Sequence, residues 1–416
     1  MKSISTVLFS VFGLIVMEAQ TKSLTTELIK SHSGTFSISN NQMVGSGKSI
    51  MESLVKNAQF VTLGESHGSK QISVLTKAML PLLAEAGFKH FAIEVGPHSA
   101  QKLTELSSPA ENTISSLKAF NAAYSVARGE DTAVPIPFFD GVSDAEFLQV
   151  AREQGMELWG LDQEFYFSAM FLTDELANTA KGTDQYDTIM QLKGAAQQAM
   201  YKYFVSEVKK EIEGAYKYIK KDPAVIAYFN AFDQNNAKAQ EIIKDMKISW
   251  DIYINWRNGS HDDRVSYICN NFYEKYKEAQ KTESSPKVFT KIGSLHAREI
   301  ISNGAYDIGV FTQQLADKNG TNATSIVCWR PFQLDEDGNT INNMERYTSY
   351  KRFKAFVPLA KENEFTIIDL SALKKDYEKG KIALPLNCDY HKLRRLLESY
   401  DYVIMLPTDT SQVPNR

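Results

Sequence analysis

Cysteine is scarce in this sequence. Only Cys269, Cys328 and Cys388 occur among the 416 residues, and no two of them form a C-x-x-C pair. This spacing excludes a zinc site built from paired cysteines and a fold held together by a disulfide framework. Because three cysteines cannot pair completely, we expect them to act as small buried hydrophobic residues, with one disulfide left open as an alternative.

An excess of either charge is also missing. The 46 Lys and Arg residues nearly balance the 50 Asp and Glu residues, which gives a formal net charge of −4. A chain of this kind has no electrostatic reason to bind nucleic acid or an anionic membrane surface. Its hydrophobic content of 43% and charged content of 23% are typical of a globular protein.

Long hydrophobic runs are absent beyond the first 20 residues, so no integral membrane segment is expected in the rest of the chain. At the N-terminus, Lys2 precedes an apolar run from Val7 to Met17, and the small Ala19 follows it. This pattern predicts a secretory signal peptide over residues 1–20, and the alternative is a short membrane anchor. We therefore expect an exported protein, in the periplasm or outside a bacterial cell.

Four apolar, β-prone runs each lead into polar residues. The runs cover residues 58–64, 89–95, 156–162 and 287–293, and the polar residues are Glu65 with His67, Glu94, Asp162 and His296. Residues 72–83, between the first two runs, have helical spacing, so strand, helix and strand form a βαβ unit that implies a parallel pair. Ligand sites of open parallel sheets form at the carboxyl ends of the strands, where these polar residues are expected to converge.

The predicted fold class is α/β, with a mainly parallel sheet flanked by helices. Residues 165–285 differ from the rest of the chain, because they contain long, charged, helix-patterned stretches. We interpret them as a helical insertion over the carboxyl edge of the sheet. The first part of the core would then cover residues 21–164, and the second part residues 286–416.

The segment Gly64-Glu65-Ser66-His67-Gly68 matches G-x-S-x-G, the nucleophile elbow of α/β-hydrolases. Asp162 and His296 follow in the order that a serine hydrolase requires. However, that elbow usually follows several strands, and residues 32–49 carry few strand signals. Ser66 is therefore the less favoured nucleophile, although its role stays open.

The alternative assigns the chemistry to the histidines and carboxylates of the rim. They could hold a divalent metal that lowers the pKa of a bound water. Alternatively, a histidine oriented by a carboxylate could take a proton from water directly. Each of these residues alone could be structural, for instance as a helix cap. Their shared position favours a common function.

Three segments resemble the erythromycin esterase-like family, whose superfamily includes the Tiki proteases and the ChaN-type haem-uptake proteins. They are Gly64-Glu65-Ser66-His67, Glu94 in "AIEVG", and Gly293-Ser294-Leu295-His296. The resemblance covers most of residues 58–406. It also points to Asp162 in "LWGLDQE" and to Arg264 in "HDDRVSYICNNF". The chain departs from the esterases by one residue fewer between Glu65 and His67, and by Gly293 where they usually have a second histidine.

The resemblance implies an exported hydrolase that cleaves an ester, lactone or amide in a small-molecule or peptide substrate. Water would be activated by His67 with Glu65 and Glu94, while His296 and Arg264 would hold the carbonyl, and Asp162 would complete the site. A divalent metal on Glu65, His67 and His296 stays open. The alternatives are a haem- or metal-binding uptake protein without catalysis and a serine hydrolase that uses Ser66.

Overall fold

The structure is a computed structural model that describes residues 22–416, apart from 129–130, 257–260, 302–303, 348–349, 351–352 and 386–389. The predicted signal peptide and Cys388 lie outside the described residues. Cys269 and Cys328 carry free thiols, and only Cys328 is fully buried. In the described part of the chain, every helix is too short or too polar to cross a membrane.

In the residues that the structure describes, fifteen strands form one large sheet and three two-stranded ribbons. They are β1 (Lys22–Ser23), β2 (Ser33–Ser39), β3 (Gln42–Val44), β4 (Phe60–Glu65), β5 (His90–Ile93), β6 (Val126–Arg128), β7 (Asp131–Ala133), β8 (Glu157–Gly160), β9 (Val288–Gly293), β10 (Ala323–Trp329), β11 (Phe332–Leu334), β12 (Thr340–Asn342), β13 (Phe365–Asp369), β14 (Ile382–Ala383) and β15 (Tyr402–Met405).

The large sheet has nine strands in the order β3-β2-β13-β15-β10-β4-β9-β5-β8. Neighbours from β15 to β8 are all parallel, and the strands at the other edge pair antiparallel. Parallel strands are usually covered on both faces, and β4 is buried at every position. The predicted α/β class with a mainly parallel sheet is confirmed.

Sixteen α-helices and two short 3₁₀ helices, Ala110–Asn112 and Val357–Leu359, surround the sheet in the described residues. The α-helices are α1 (Thr26–Ser31), α2 (Gly47–Asn57), α3 (Lys70–Glu85), α4 (Pro97–Leu106), α5 (Thr113–Tyr124), α6 (Val142–Glu153), α7 (Ala169–Asn178), α8 (Tyr186–Val208), α9 (Tyr216–Ile219), α10 (Pro223–Asn230), α11 (Ala237–Trp256), α12 (Asp262–Ala279), α13 (Ile308–Asn319), α14 (Asn343–Arg346), α15 (Leu370–Glu378) and α16 (Tyr390–Ser399).

Two hydrophobic cores lie on the two faces of the sheet. Along β4, Val61 and Leu63 point into the first core, whereas Phe60 points into the second, as the alternation of side chains along a strand requires. The first core also takes in α3, α6 and the helices α7–α11, and the second takes in α12, α13, α15 and α16. The helices between β8 and β9 therefore pack on both sides of the sheet.

Three local expectations were wrong. Residues 32–49 do contain strands, because β2 and β3 form a hairpin whose turn residues Asn40 and Asn41 have φ values of 49° and 61°. The strands β4 and β5 are parallel but not adjacent, since β9 lies between them. One of the long helical stretches expected within residues 165–285 is interrupted, because α8 ends at Val208 and α9 begins at Tyr216. There, the Glu207 carboxylate accepts hydrogen bonds from the amides of Gly214 and Ala215, which favours a turn.

Candidate active site

The predicted site residues come together at the carboxyl edge of the parallel strands. Glu65 ends β4, Glu94 directly follows β5, Asp162 follows β8, and His296 follows β9. His67 lies in the loop between β4 and α3, and Arg264 enters from the first turn of α12. Sequentially remote residues therefore meet because the sheet aligns its strand ends.

Glu65 is buried between two basic groups. Lys291 Nζ donates to its Oε2 over 2.5 Å, and His67 Nδ1 lies 3.2 Å from its Oε1. Burial alone would raise the pKa of Glu65, but the Lys291 ammonium and the hydrogen bond from His67 outweigh it and lower the pKa to about 2. Glu65 is thus a carboxylate at every pH at which the protein would work.

Glu94 occupies the centre of the cluster. Its Oε2 accepts the Gly293 amide over 2.6 Å, and its Oε1 accepts Arg264 Nη2 over 2.8 Å. The Nε2 atoms of His67 and His296 lie 3.8 and 3.7 Å from the same carboxylate, on Oε2 and Oε1 respectively. The two imidazoles therefore face one shared group.

Each imidazole is also held from behind by a second carboxylate. Asp307 Oδ2 lies 2.7 Å from His296 Nδ1, while its Oδ1 accepts the Ile308 amide at the start of α13. Burial lowers the pKa of His296, but Asp307 and Glu94 together raise it. A proton on Nδ1 satisfies the carboxylate, so Nε2 is the nitrogen that faces the cluster.

His67 is the more accessible histidine, with 42% of its side chain exposed. Its ring stacks on Phe138 at a centroid distance of 4.1 Å and an interplanar angle of 16°. Phe138 itself has a φ of 64°, an uncommon value for a bulky residue and often a sign of function. Burial lowers the pKa of His67, but the hydrogen bond to Glu65 and the charge of Glu94 raise it above its ordinary value.

Arg264 is held in place by acidic residues. Its Nε and Nη2 donate to the two carboxylate oxygens of Asp162 over 3.0 and 2.6 Å, in a bidentate pair. Within the part of the chain that the structure describes, Nη1 makes no hydrogen bond. Asp162 therefore orients Arg264, and the guanidinium keeps one donor edge for another group.

Ser66 lies between β4 and α3, as an elbow serine would, but it lacks two features of an activated nucleophile. Its side chain is exposed, and the positive φ of this loop falls on Gly68 rather than on the serine. Among the described residues, no hydrogen bond joins Ser66 to a histidine. The serine is therefore not activated in this structure.

Two neighbouring cavities share lining residues, and the smaller one borders the cluster. A cavity of about 170 Å³ is lined by Phe138, Asp162, Arg264 and several residues of the insertion. Phe165, Tyr253 and Trp256 line both this cavity and a larger one of about 1150 Å³ inside the insertion. We call the larger one the aromatic cavity, because Phe165, Tyr166, Phe167, Phe204, Tyr218, Tyr253 and Trp256 are among the residues that line it.

The cluster contains atoms that can bind a metal ion, but two neighbouring positive charges oppose binding. Glu65, His67 and Glu94 can bring one ligand atom each within 4.8 Å of one another. However, Glu65 is already paired with Lys291, and Glu94 is already paired with Arg264. Two fixed cations repel a divalent ion and occupy the oxygens that would bind it. The residues present therefore do not fit a resident metal.

The sequence did not reveal three neighbours of the site. Lys291 is a lysine inside the apolar strand "KVFTKIG", and that unusual position was the available signal. Asp307 precedes an apolar helix, where an N-cap is expected, so its contact with His296 could not be foreseen. Nothing in "PIPFFDG" indicated that Phe138 would stack on His67.

The departure at Gly293 has a structural reason. A Cβ atom there would lie 3.3 Å from His67 Nε2 and 3.4 Å from Glu94 Oε2. A side chain at this position would crowd the space between the two groups. Glycine thus leaves His67 Nε2 accessible while its own amide binds Glu94.

No protein-family model matches this sequence, and no curated protein matches it. Solved structures do resemble it. A mutant of erythromycin esterase EreC in its open conformation is 15% identical, with a TM-score of 0.51 over 92% of this chain and 98% of that one. A succinoglycan biosynthesis protein (14% identity, TM-score 0.49) and a Bacillus cereus protein (12%, 0.48) each match 93% of this chain and 97% of their own. The chain therefore has the erythromycin esterase fold.

Proposed function

We propose that this protein is a hydrolase that cleaves an ester, lactone or amide with a water molecule activated by His67. One observation supports this most directly. Both imidazoles direct Nε2 towards the Glu94 carboxylate, and each is anchored through Nδ1 by a carboxylate of its own. Such an arrangement serves proton transfer, because Nδ1 is fixed and Nε2 is left to exchange protons.

The reaction needs only groups that the chain itself supplies. His67 Nε2 takes a proton from water while the water oxygen attacks the carbonyl carbon. The negative charge that forms on the carbonyl oxygen is held by the free edge of Arg264 and by His296 in its protonated form. When the tetrahedral intermediate collapses, the leaving alcohol or amine takes the proton from His67, which restores the neutral base.

The cavities favour a substrate with a bulky apolar part. The smaller cavity is lined by Phe138, which stacks on His67, and it shares the walls Phe165, Tyr253 and Trp256 with the aromatic cavity. Aromatic walls favour flat or ring-containing groups, which bury large apolar areas against them. We expect the reacting carbonyl to lie near Arg264 and the rest of the substrate to extend into the insertion.

The relative of similar fold supports the reaction class, since its name describes an esterase. The N-terminal pattern of residues 1–20 supports export, so the substrate would be met in the periplasm or outside the cell.

The test is turnover by the purified protein on matched esters, lactones and amides whose acyl part grows from acetyl to a multi-ring group. Turnover should rise with the size of the apolar part, and a Trp256→Ala variant should lose this preference by raising KM for the large substrates. The exposed Tyr347 lines neither cavity, so Tyr347→Ala is the matched control. No turnover on any class, together with a haem absorption band in the purified protein, would overturn the proposal in favour of a haem carrier.

A further inference from the structure

Lys291 is a buried lysine in the middle of the sheet. It lies in β9, where all six residues are buried, and only 5% of its side chain is exposed. Removing an ammonium group from water is costly unless it is paired and hydrogen-bonded. A neutral residue would pack in this strand at a lower cost in free energy. We therefore expect the positive charge of Lys291 to have a function.

The surroundings of the ammonium leave it one ionic partner. It donates to Glu65 Oε2 over 2.5 Å and lies 5.3 Å from the centre of the Phe147 ring. The nearby Asp144 carboxylate is occupied elsewhere, because it accepts hydrogen bonds from Ser73 Oγ and Gln412 Nε2. Within the described residues, Lys291 forms its salt bridge with Glu65 alone.

We infer that Lys291 is the built-in cation of this centre, which fixes Glu65 for His67 and takes the place of a metal ion. The claim that Lys291 fixes Glu65 for His67 rests on the proposed function. The claim that it takes the place of a metal ion does not. With Oε2 held by Lys291, the Glu65 carboxylate can present only Oε1 to His67 Nδ1. Lys291 is thus a positioning residue that acts through Glu65.

Removing the ammonium should convert the site into one that binds metal. Among the described side chains, His67 would then be the one remaining partner of the Glu65 carboxylate, and the freed oxygen would stay buried beside His67 and Glu94. Two carboxylates and an imidazole, with ligand atoms within 4.8 Å of one another, form a donor set suited to Zn²⁺. The inference therefore predicts a gain of function as well as a loss.

The first experiment titrates Zn²⁺ alone into the full-length protein by calorimetry and requires no substrate. The wild-type protein should show no site that depends on Glu65. Lys291→Met should gain one equivalent, bound roughly 10- to 100-fold more tightly than any wild-type site. The double variant Lys291→Met/Glu65→Gln should lose it again. A wild-type Zn²⁺ site abolished by Glu65→Gln would overturn the inference, as would a Lys291→Met protein without a new site.

The second experiment measures hydrolysis. Lys291→Met should lower kcat by roughly 10- to 100-fold with little change in KM, and Lys291→Arg should restore part of kcat because it restores the cation. Lys77 pairs with Glu146 and forms no salt bridge with Glu65 or Glu94 in the described residues, so Lys77→Met is the matched control. If Lys291→Met fails to fold, Lys291→Gln serves in both experiments. An unchanged kcat would refute the positioning role, whereas a wild-type protein that shows no turnover would refute only the proposed function.

Discussion

The two nitrogens of each site histidine, His67 and His296, have different roles in the proposed reaction. In both imidazoles, Nδ1 is bound to a buried carboxylate, Glu65 or Asp307, and Nε2 faces Glu94. The two residues differ in access, because His67 is partly exposed and His296 is buried. The exposed imidazole is the better base for an entering water, and the buried one is the better fixed positive charge.

The pH dependence of kcat/KM should follow from these roles. His67 must be neutral to accept a proton, and its pKa is raised by Glu65 and Glu94, so activity should fall as the pH drops through a value above the ordinary pKa of histidine. His296 must be protonated, and its pKa is also raised, so activity should fall again as the pH rises through that value. The plot of kcat/KM against pH should therefore be bell-shaped. Its two apparent pKa values belong to the coupled pair of His67 and His296.

The variant Glu65→Gln removes the carboxylate that raises the pKa of His67, so its acidic limb should move to lower pH. Asp245 contacts the remote His98 over 3.0 Å, and Asp245→Asn is the matched control with an unchanged profile. An acidic limb that stays in place in Glu65→Gln would show that His67 is not the group that titrates.

Membership of the candidate site could be predicted from the sequence for residues whose position depends only on the order of strands and helices. Glu65, Glu94, Asp162 and His296 follow strands that align, so their meeting required only the order of strands and helices. Partners such as Asp307 and Phe138 depend on how loops fold back over the rim. The conformation of these loops depends on tertiary contacts, and such contacts leave no periodic pattern in the sequence.

At the scale of elements, the C-terminal segment braces the loop that carries His67. The side chain of Gln412 donates to the backbone of Ser69, to Ser73 and to Asp144, which joins the start of α3 to the start of α6. Ser69 also forms a β-bridge with Ser411. Because Ser69 caps α3 two residues after His67, this brace fixes the place where the imidazole leaves the sheet.

Replacing Gln412 with alanine should loosen this junction. The change removes the hydrogen bonds that Gln412 donates to Ser73 and to the buried Asp144 carboxylate, although these two residues keep their bond to each other. The loss should cost about 1–3 kcal/mol of unfolding free energy. Amide exchange should accelerate in residues 66–73 first, and turnover should fall without loss of secondary structure. The neighbouring Val413 is exposed, and Val413→Ala should change neither quantity. Equal exchange rates in both variants would show that the segment does not brace the loop.

Elements were predictable where a strong pattern covered a whole segment. The strands β4, β5, β8 and β9 follow apolar, β-prone runs. By contrast, β2 (SGTFSIS) is rich in serine and β3 (QMV) is only three residues long, so both gave little signal. They exist because their hairpin pairs with β13 at the sheet edge, which is a tertiary effect. Pro81 lies inside α3, although proline usually kinks or ends a helix, and α3 continues to Glu85.

At the scale of the whole molecule, a pair of acids lies away from the site and makes stability depend on pH. Burial and the nearby Asp401 raise the pKa of Glu299, and burial also raises the pKa of Asp401. A group whose folded pKa exceeds its unfolded value stabilises the fold at low pH. That contribution is lost as the pH rises towards the folded pKa.

The wild-type protein should therefore lose unfolding free energy between about pH 5 and pH 8 relative to Glu299→Gln, which cannot ionise, by roughly 1–2 kcal/mol. Chemical denaturation of both proteins at several pH values measures this difference. Glu378, exposed on α15, provides the control Glu378→Gln with the wild-type profile. Parallel curves for wild type and Glu299→Gln would show that a raised pKa of Glu299 does not control the pH dependence of stability.

The most direct measurement of the central claim compares turnover of the best ester substrate by Ser66→Ala and His67→Gln. With water as the nucleophile, Ser66→Ala should keep activity within about threefold of wild type, while His67→Gln should lose roughly 100-fold or more in kcat/KM. An inactive Ser66→Ala protein, with covalent labelling of the wild-type serine by a fluorophosphonate, would contradict the claim and establish a serine hydrolase instead.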